Sequence, residues 1–202
     1  ELEVIPERRI LMDAWLRFFG IWLAEGCAWM DRHNRQYGDG GIYSYPMVSV
    51  SQKVGTKLDS LTGWLNDCGL QYKDHRASIR TKVNNLNIRN DWQLYSYLAQ
   101  FGKSDLKYIP IELKELSPRQ LRILYNSMAF GDGTRDGAEY ATTSKRLADD
   151  VSEILFKMGE AATVIPEQQI VKEHFRRAKY YGLSGERNGN LLADLGSIRR
   201  NI

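Results

Sequence analysis

A weak internal repeat constrains the fold of this chain more than any other feature of its sequence. Four landmarks recur in the same order: an Ile-Pro pair, an apolar helix ending in an acid and a glycine, a polar strand end leading into a helix, and a Leu-Ala helix end closed by glycine. The matched segments are 4–6 with 108–110, 23–26 with 130–133, 50–53 with 142–145, and 98–102 with 192–196. The repeat predicts a duplicated fold, with an N-terminal half over residues 1–105 and a C-terminal half over residues 106–202.

Each half is expected to run helix, two strands, helix, two strands, helix, with antiparallel strands. Residues 10–25 and 120–132 form the first helix of each copy, and both segments are apolar on most faces, which is typical of helices buried against several partners. Both segments also carry small side chains, which allow two helix backbones to approach closely: Gly20, Ala24, Ser127, Ala129 and Gly131. The pattern predicts that these two helices pack against each other along the axis of a pseudo-symmetric fold.

The composition is that of a soluble globular protein, with 43% hydrophobic and 26% charged residues. No apolar run reaches the roughly 18 residues that span a bilayer, and no signal peptide is visible, so we expect a cytoplasmic protein without membrane contact. The net charge of +3 permits nucleic-acid binding without arguing strongly for it. Cys27 and Cys68 belong to no CxxC pair or Cys/His cluster, so we expect free thiols rather than a zinc site.

Glu25 and Asp132 occupy the last turns of the two predicted central helices, each directly before a glycine. Taken singly, each is an ordinary helix-end acid beside a capping glycine. Taken as a pair, they place two carboxylates at carbonyl-rich helix ends, where negative charge is unfavourable. A divalent cation that binds carboxylate and carbonyl oxygens relieves this conflict. We therefore predict a magnesium site, which Mn²⁺ or Ca²⁺ can also occupy, formed by Glu25, Asp132 and the adjoining residues Ala24 and Gly131.

Residues 18–26 and 125–133 resemble the two signature helices of the LAGLIDADG (dodecapeptide) homing endonucleases, in the single-chain, two-motif form found inside inteins. The Lys-Tyr-Ile-Pro at 107–110 resembles the block that precedes the second motif in that family, and residues 143–148 resemble the block that follows it. The resemblance covers nearly the whole chain. It implies an α+β fold in which an αββαββα unit is repeated about a pseudo-twofold axis, with two antiparallel sheets forming a saddle over DNA.

The resemblance also implies a function. It implies a monomer that cuts both strands of a long, asymmetric double-stranded DNA target across the minor groove, by metal-dependent phosphodiester hydrolysis that leaves 3′ overhangs. The metal-binding acids of the family map to Glu25 and Asp132. The lysine that supports the attacking water or the transition state maps to Lys107, and its counterpart in the second half aligns with Arg200. Ser49 lies near the position where family members carry a polar residue that organises water.

Sequence specificity is expected to reside in the strands, because duplex recognition combines phosphate contacts with side chains that reach base edges. In the first half we predict one strand with a polar face, and in the second half a basic strand over residues 170–180. A long polar loop at 31–45 is predicted to follow a groove, or else to be a solvated hairpin. The candidate DNA contacts are Arg76, Ser78, Arg80 and Lys82 in the first strand, Lys172, His174, Arg176 and Lys179 in the second, and Arg32, Arg35 and Tyr43 in the loop.

Two alternatives keep the same fold without DNA cleavage: an RNA maturase and a transcription regulator. The presence of both acids argues against a decayed nuclease, and no spare segment offers the separate helix-turn-helix that a regulator usually carries. Protein splicing by this chain is not expected either, because Glu1 and Ile202 replace the terminal nucleophile and the closing His-Asn of an intein.

Overall fold

The computed structural model describes residues 7–34, 42–78, 82–134, 139–170 and 192–200, and within these ranges it leaves out the side chains of 33–34, 42–43, 76–78, 165–170 and 192–200. Six helices and seven strands occur in the described part of the chain. In order, they are α1 (Met12–Glu25), β1 (Gly26–Asn34), β2 (Ile42–Lys53), α2 (Thr56–Asp67), β3 (Lys73–Ser78), β4 (Val83–Arg89), α3 (Trp92–Ala99), α4 (Ile111–Lys114), α5 (Pro118–Asp132), β5 (Glu139–Thr142), α6 (Lys145–Lys157), β6 (Ala162–Ile170) and β7 (Leu192–Arg200).

The first half has the predicted order of helix, two strands, helix, two strands, helix. Its four strands form an antiparallel sheet in the order β1-β2-β4-β3. Val48, Val50, Leu86 and Ile88 point to one face of this sheet and pack into the hydrophobic core with the helices. The opposite face therefore carries the alternating residues of the same strands, and these are largely polar.

The second half contains an antiparallel sheet of three strands in the order β5-β7-β6. Strand β5 is short, and Gly133 forms a bridge with Tyr140 beside it. The sequence prediction of a helix end at residues 192–196 is wrong, because this segment lies in strand β7. The strand is central in its sheet, and hydrogen bonding to a neighbour on each side outweighs the weak helical pattern of Leu-Ala-Asp-Leu-Gly.

The two predicted central helices are confirmed as α1 and α5, and they pack with their backbones in close contact. A Cβ atom added at Gly20 would lie 2.7 Å from the carbonyl oxygen of Leu124, and one added at Gly131 would lie 2.5 Å from the Cβ of Ala24. Ser127 does not hold the helices apart, because its hydroxyl donates to a carbonyl of its own helix at 2.9 Å. Any side chain at Gly20 or Gly131 would therefore force the two helices apart.

The structure corrects the predicted first-half DNA-binding strand. Residues 76–84 do not form one strand: β3 ends at Ser78, the chain reverses, and β4 begins at Val83. Lys82 lies in the turn with a positive φ of 52°, so it cannot share a strand face with Arg76 or Ser78. Alternating polarity across a tight hairpin looks the same in sequence as alternation along a single strand, because both have a period of two.

Of the two predictions for residues 31–45, a loop that follows a groove or a hairpin, the described residues agree with the hairpin. Strand β1 continues to Asn34 and β2 begins at Ile42, and the register of this hairpin pairs Arg32 with Ser44 and Asn34 with Ile42. Continuous pairing makes residues 26–34 and 42–50 a β-ribbon rather than part of a free loop. Within the described residues, no helix is both long and apolar enough to span a membrane.

Candidate metal and nucleic-acid site

The close packing of α1 and α5 brings the two predicted acids together. Glu25 is the last residue of α1 and Asp132 is the last residue of α5. The Cβ position of Gly131 lies 3.1 Å from the Cγ of Glu25, so the two helices end side by side. The sequence identified these residues correctly as helix-terminal, and the structure places both helix ends at one point of the molecule.

Both carboxylates are electrostatically unfavourable in the folded protein. Burial raises the pKa of Glu25, against the opposing effect of the positive charges of Lys57, Lys107 and Lys53. Burial and the neighbouring Glu25 charge raise the pKa of Asp132 to about 7. Although solvent reaches the Asp132 side chain, protein atoms surround the carboxylate on most sides. The site therefore holds two neighbouring, partly buried carboxylates whose ionised forms a divalent cation would stabilise.

Lys107 lies under the C-terminal end of α1. Its side-chain ammonium donates to the carbonyl oxygens of Trp22 at 2.8 Å, Leu23 at 2.9 Å and Gly26 at 2.7 Å, and it lies 4.7 Å from the centre of the Trp22 ring. The side chain is only 3% exposed, and burial lowers the pKa of Lys107 to about 8. Because an ammonium group has three donors, backbone carbonyls use all of them. A direct contact between Lys107 and substrate stays a prediction.

The backbone around Lys107 is held by α6. The hydroxyl of Ser144, the N-cap of α6, donates to the carbonyl of Lys107 at 2.6 Å. The buried carboxylate of Asp150 accepts from the backbone N–H of Ile109 at 2.8 Å and from Lys114 at 2.8 Å. These contacts give a physical reason why the blocks at 107–110 and 143–148 occur together: the second block fixes the segment that carries the lysine.

Lys57, in the first turn of α2, is a residue of this site that the sequence analysis missed. Its ammonium donates to the carbonyl of Phe130 near the end of α5 and lies 5.1 Å from the centre of the Phe130 ring. Its positive charge opposes the rise in pKa of both Glu25 and Asp132. The repeat could not have revealed it, because Lys57 follows Lys53 by four residues and the matching position after Lys145 is Asp149.

The donor set at the helix ends fits a hard divalent cation that retains water or phosphate ligands. The described residues contain no group of three or more His, Cys, Asp and Glu side chains that could hold a metal. At the helix ends the ligands available are the two carboxylates, and Ala24 and Gly131 lie at the helix contact beside them. Cys27 and Cys68 are free thiols, as predicted, with Cys27 exposed and Cys68 buried. An ion held by two carboxylates keeps open positions for further oxygen ligands.

A polar surface, which we call the outer sheet face, covers the side of the first sheet away from the core. Register places Ser49 opposite Asn87 and Ser51 opposite Asn85, and the hydroxyls donate to the Asn carboxamides at 2.7 and 2.8 Å. Exposed Lys73, His75 and Arg89 lie on the same face. The alternation of Asn85, Asn87 and Arg89 with buried residues is visible in the sequence, but the predicted DNA-binding strand lay over residues 76–84.

The other predicted DNA contacts are only partly described. Arg32 is exposed on β1, and Lys82 is exposed in the β3–β4 turn. Tyr43, Arg76 and Ser78 lie on strands, but their side chains are not described, and the same holds for Arg200, which lies on β7 in register with Ala162. The residues outside the described ranges are Arg35, Arg80, Lys172, His174, Arg176 and Lys179. The structure therefore groups Glu25, Asp132, Lys107 and Ser49 around the helix ends and the adjoining sheet.

Comparison with curated proteins finds similarity to segments of two unrelated proteins. The chain is 33% identical over 162 residues to the "ATP-dependent Clp protease proteolytic subunit" of Chlamydomonas moewusii, covering 76% of the chain and 15% of that protein. It is 28% identical over 190 residues to the "DNA-directed RNA polymerase subunit beta C-terminal section" of Stigeoclonium helveticum, covering 77% of the chain and 17% of that protein. The chain thus spans about a sixth of the length of these relatives. No family model matches the sequence.

Comparison with solved structures finds the homing endonuclease I-DmoI. A study of mesophilic I-DmoI variants gives a structure that covers 95% of this chain and 88% of its own, with a TM-score of 0.54 at 14% identity. I-DmoI with DNA and Mn covers 94% and 89%, with a TM-score of 0.55 at 13% identity. An I-DmoI variant with its target DNA and 2 mM Mg covers 94% and 89%, with a TM-score of 0.56 at 14% identity. At this identity the likeness concerns the fold, and it extends over almost the entire chain: the protein has the fold of the LAGLIDADG homing endonucleases.

Proposed function

We propose that this chain is a site-specific homing endonuclease that cuts both strands of a double-stranded DNA target by divalent-metal-dependent phosphodiester hydrolysis. The observation that carries this proposal is the meeting of Glu25 and Asp132 at the ends of two helices in backbone contact. The I-DmoI structures, which share the fold, were determined with target DNA and with Mg or Mn. As in the sequence-based expectation, we propose a monomer, cleavage across the minor groove and 3′ overhangs.

Glu25 and Asp132 would hold the metal through their carboxylate oxygens. A bound divalent cation supplies Lewis acidity and neutralises charge at a phosphate. The chain itself contributes the rigid positions of both acids, since α1 and α5 cannot separate or slide without disturbing the contacts at Gly20 and Gly131. Lys107 donates hydrogen bonds to the last carbonyls of α1 and keeps positive charge near the acids, so it helps to fix the position of Glu25.

The outer sheet face would bind DNA. Arg89 and Lys73 offer positive charge for phosphates, whereas the carboxamides of Asn85 and Asn87 match the donors and acceptors of base edges. Ser49 and Ser51 hydrogen-bond these carboxamides and thereby restrict their orientation. A carboxamide that is already oriented loses less entropy on binding, which favours discrimination between bases.

We further propose that the chain is the nuclease segment of a sequence inserted in a host protein, as the intein resemblance implies. Two proteins with unrelated printed names each contain a matching segment that makes up 15% or 17% of their length. A segment shared by otherwise unrelated proteins is what an inserted element produces. The natural target would then be the coding sequence across the uninterrupted junction of the host gene.

The test is a cleavage assay on duplexes that join the coding sequences flanking the matching segments of both relatives, together with a randomised duplex library, at low salt with Mg²⁺. Wild-type protein is expected to cut at least one duplex on both strands, and EDTA is expected to abolish cutting. Glu25→Gln and Asp132→Asn should remove cleavage while retaining DNA binding in Ca²⁺. The matched control is Asp149→Asn, which alters an exposed acid paired with Lys145 and should cut normally. Absence of any cut by wild type would refute the nuclease proposal, and cutting by either acid variant would refute the site.

A further inference from the structure

The ends of α1 and α5 are each held by a lysine, and the two contacts match. Lys107 donates to the carbonyl of Leu23, two residues before Glu25, and lies over the ring of Trp22. Lys57 donates to the carbonyl of Phe130, two residues before Asp132, and lies over the ring of Phe130 itself. A lysine at this position satisfies helix-end carbonyls and opposes the negative end of the helix dipole.

We propose that Lys57 is the positioning residue for Asp132 and has at the end of α5 the role that Lys107 has at the end of α1. The sequence alignment assigned that place to Arg200, but Arg200 lies on strand β7 rather than after a helix end. Lys57 comes from the first half of the chain and reaches the helix of the second half. The inference rests on the proposed nuclease function, in which Asp132 is a metal ligand.

The packing of α2 against α5 fixes Lys57 in this role. Phe130 lies between Lys57 and Trp64, which are two turns apart on α2, and the Trp64 and Phe130 rings meet edge to face at 5.2 Å between centroids. The Phe130 ring therefore contacts α2 at two places, Lys57 and Trp64. Together these contacts hold the Lys57 ammonium over the last turn of α5. Lys145 is a different case, because it is exposed in the first turn of α6 and forms an ion pair with Asp149.

A cross-half contact makes the two metal-binding acids depend on different parts of the chain. The end of α1 depends on Lys107, whose carbonyl accepts from Ser144, the cap of α6. The nearby Ile109 donates its N–H to Asp150 in α6. The end of α5 depends on Lys57 of the first half. Neither acid is expected to reach its working position unless both halves are folded together.

The experiment compares Lys57→Met, which keeps the aliphatic stem, with Lys145→Met as the matched control and Lys57→Arg as the charge-retaining variant. Two readouts are needed: amide hydrogen exchange across residues 129–133 of the metal-free protein, and the single-turnover cleavage rate measured beside the Kd for target DNA in Ca²⁺. Lys57→Met is expected to speed exchange at the end of α5 but not at the end of α1. It should lower the cleavage rate by about 10- to 100-fold with the Kd unchanged, as loss of an outer-shell partner does.

Lys145→Met should leave exchange and the cleavage rate as in wild type, and Lys57→Arg should recover most of the rate. Unchanged exchange in Lys57→Met overturns the proposal, and so does a loss of DNA affinity as large as the loss of rate, which would make Lys57 a phosphate contact. Lys57→Gln provides the same comparison if the methionine variant folds poorly. If wild type cuts no DNA, the proposed function fails, but hydrogen exchange still decides whether Lys57 holds the end of α5.

Discussion

Replacing Asp132 by Asn should stabilise the metal-free protein at alkaline pH. Burial and Glu25 raise the pKa of Asp132 from 3.8 to about 7, which means that the ionised carboxylate is penalised in the folded state. If the whole pKa shift acted on folding, the ionised carboxylate would lower the free energy of unfolding by about 4 kcal/mol. Because solvent reaches the side chain, screening reduces this energy, and we expect about 1–2 kcal/mol. For a chain of 202 residues, that is a rise in Tm of about 3–6 °C.

The pH dependence of this effect has a definite sign. A carboxyl group whose pKa is raised by folding contributes stability below its unfolded pKa, and this contribution is lost as the pH rises through its folded pKa. The stability gained by Asp132→Asn over wild type should therefore be small at pH 4, grow as the pH rises from 3.8 to about 7, and stay constant at higher pH. Added Mg²⁺ at pH 8 should stabilise wild type more than the variant and narrow the difference.

The assay is thermal unfolding followed by circular dichroism at pH 4, 6 and 8 in EDTA, repeated at pH 8 with Mg²⁺. Asp149→Asn is the control, because Asp149 is exposed in an ion pair with Lys145 and should change Tm by only about 1 °C or less. The reasoning would be refuted if Asp132→Asn were less stable than wild type at pH 8, or if its advantage were the same at every pH.

Three further predictions follow from packing and charge. Gly20→Ala should lower the free energy of unfolding, measured in urea, by about 1–3 kcal/mol, because the new Cβ would lie 2.7 Å from the Leu124 carbonyl oxygen. Gly63→Ala, at an open position of α2, should raise the free energy of unfolding by up to about 1 kcal/mol. Equal effects of the two substitutions would contradict the close contact between α1 and α5. Asp150→Ala should lower the free energy of unfolding by about 3 kcal/mol in the same assay, since it leaves the buried N–H of Ile109 without its acceptor and removes one of the two carboxylates that pair with Lys114. A neutral result would show that the network is dispensable. Arg89→Ala should reduce the slope of log affinity for DNA against log salt concentration by about one unit, and an unchanged slope would exclude a phosphate contact.

The sequence alone determined the central pair of helices and the two acids at their ends. Small residues at Gly20 and Gly131 within otherwise apolar helices specify close packing, and Glu25 and Asp132 each precede a glycine at which the helix stops. These are local patterns of side-chain volume and polarity, repeated in the same order, and such patterns can be recognised from the sequence alone. The first-half order of elements followed from the helix and strand patterns within each copy, and the fold class followed from the resemblance to the LAGLIDADG family.

Only the tertiary structure decided which positively charged side chains and which polar surface lie beside the two acids. Lys57 was invisible because its contact joins residues 73 positions apart across the two halves, and its repeat mate is an aspartate. The helix predicted at 192–196 became strand β7 because two neighbouring strands pair with it, and the strand predicted over 76–84 became a hairpin. A period of two and a weak helical pattern are each compatible with more than one local structure, and long-range pairing and packing select among them.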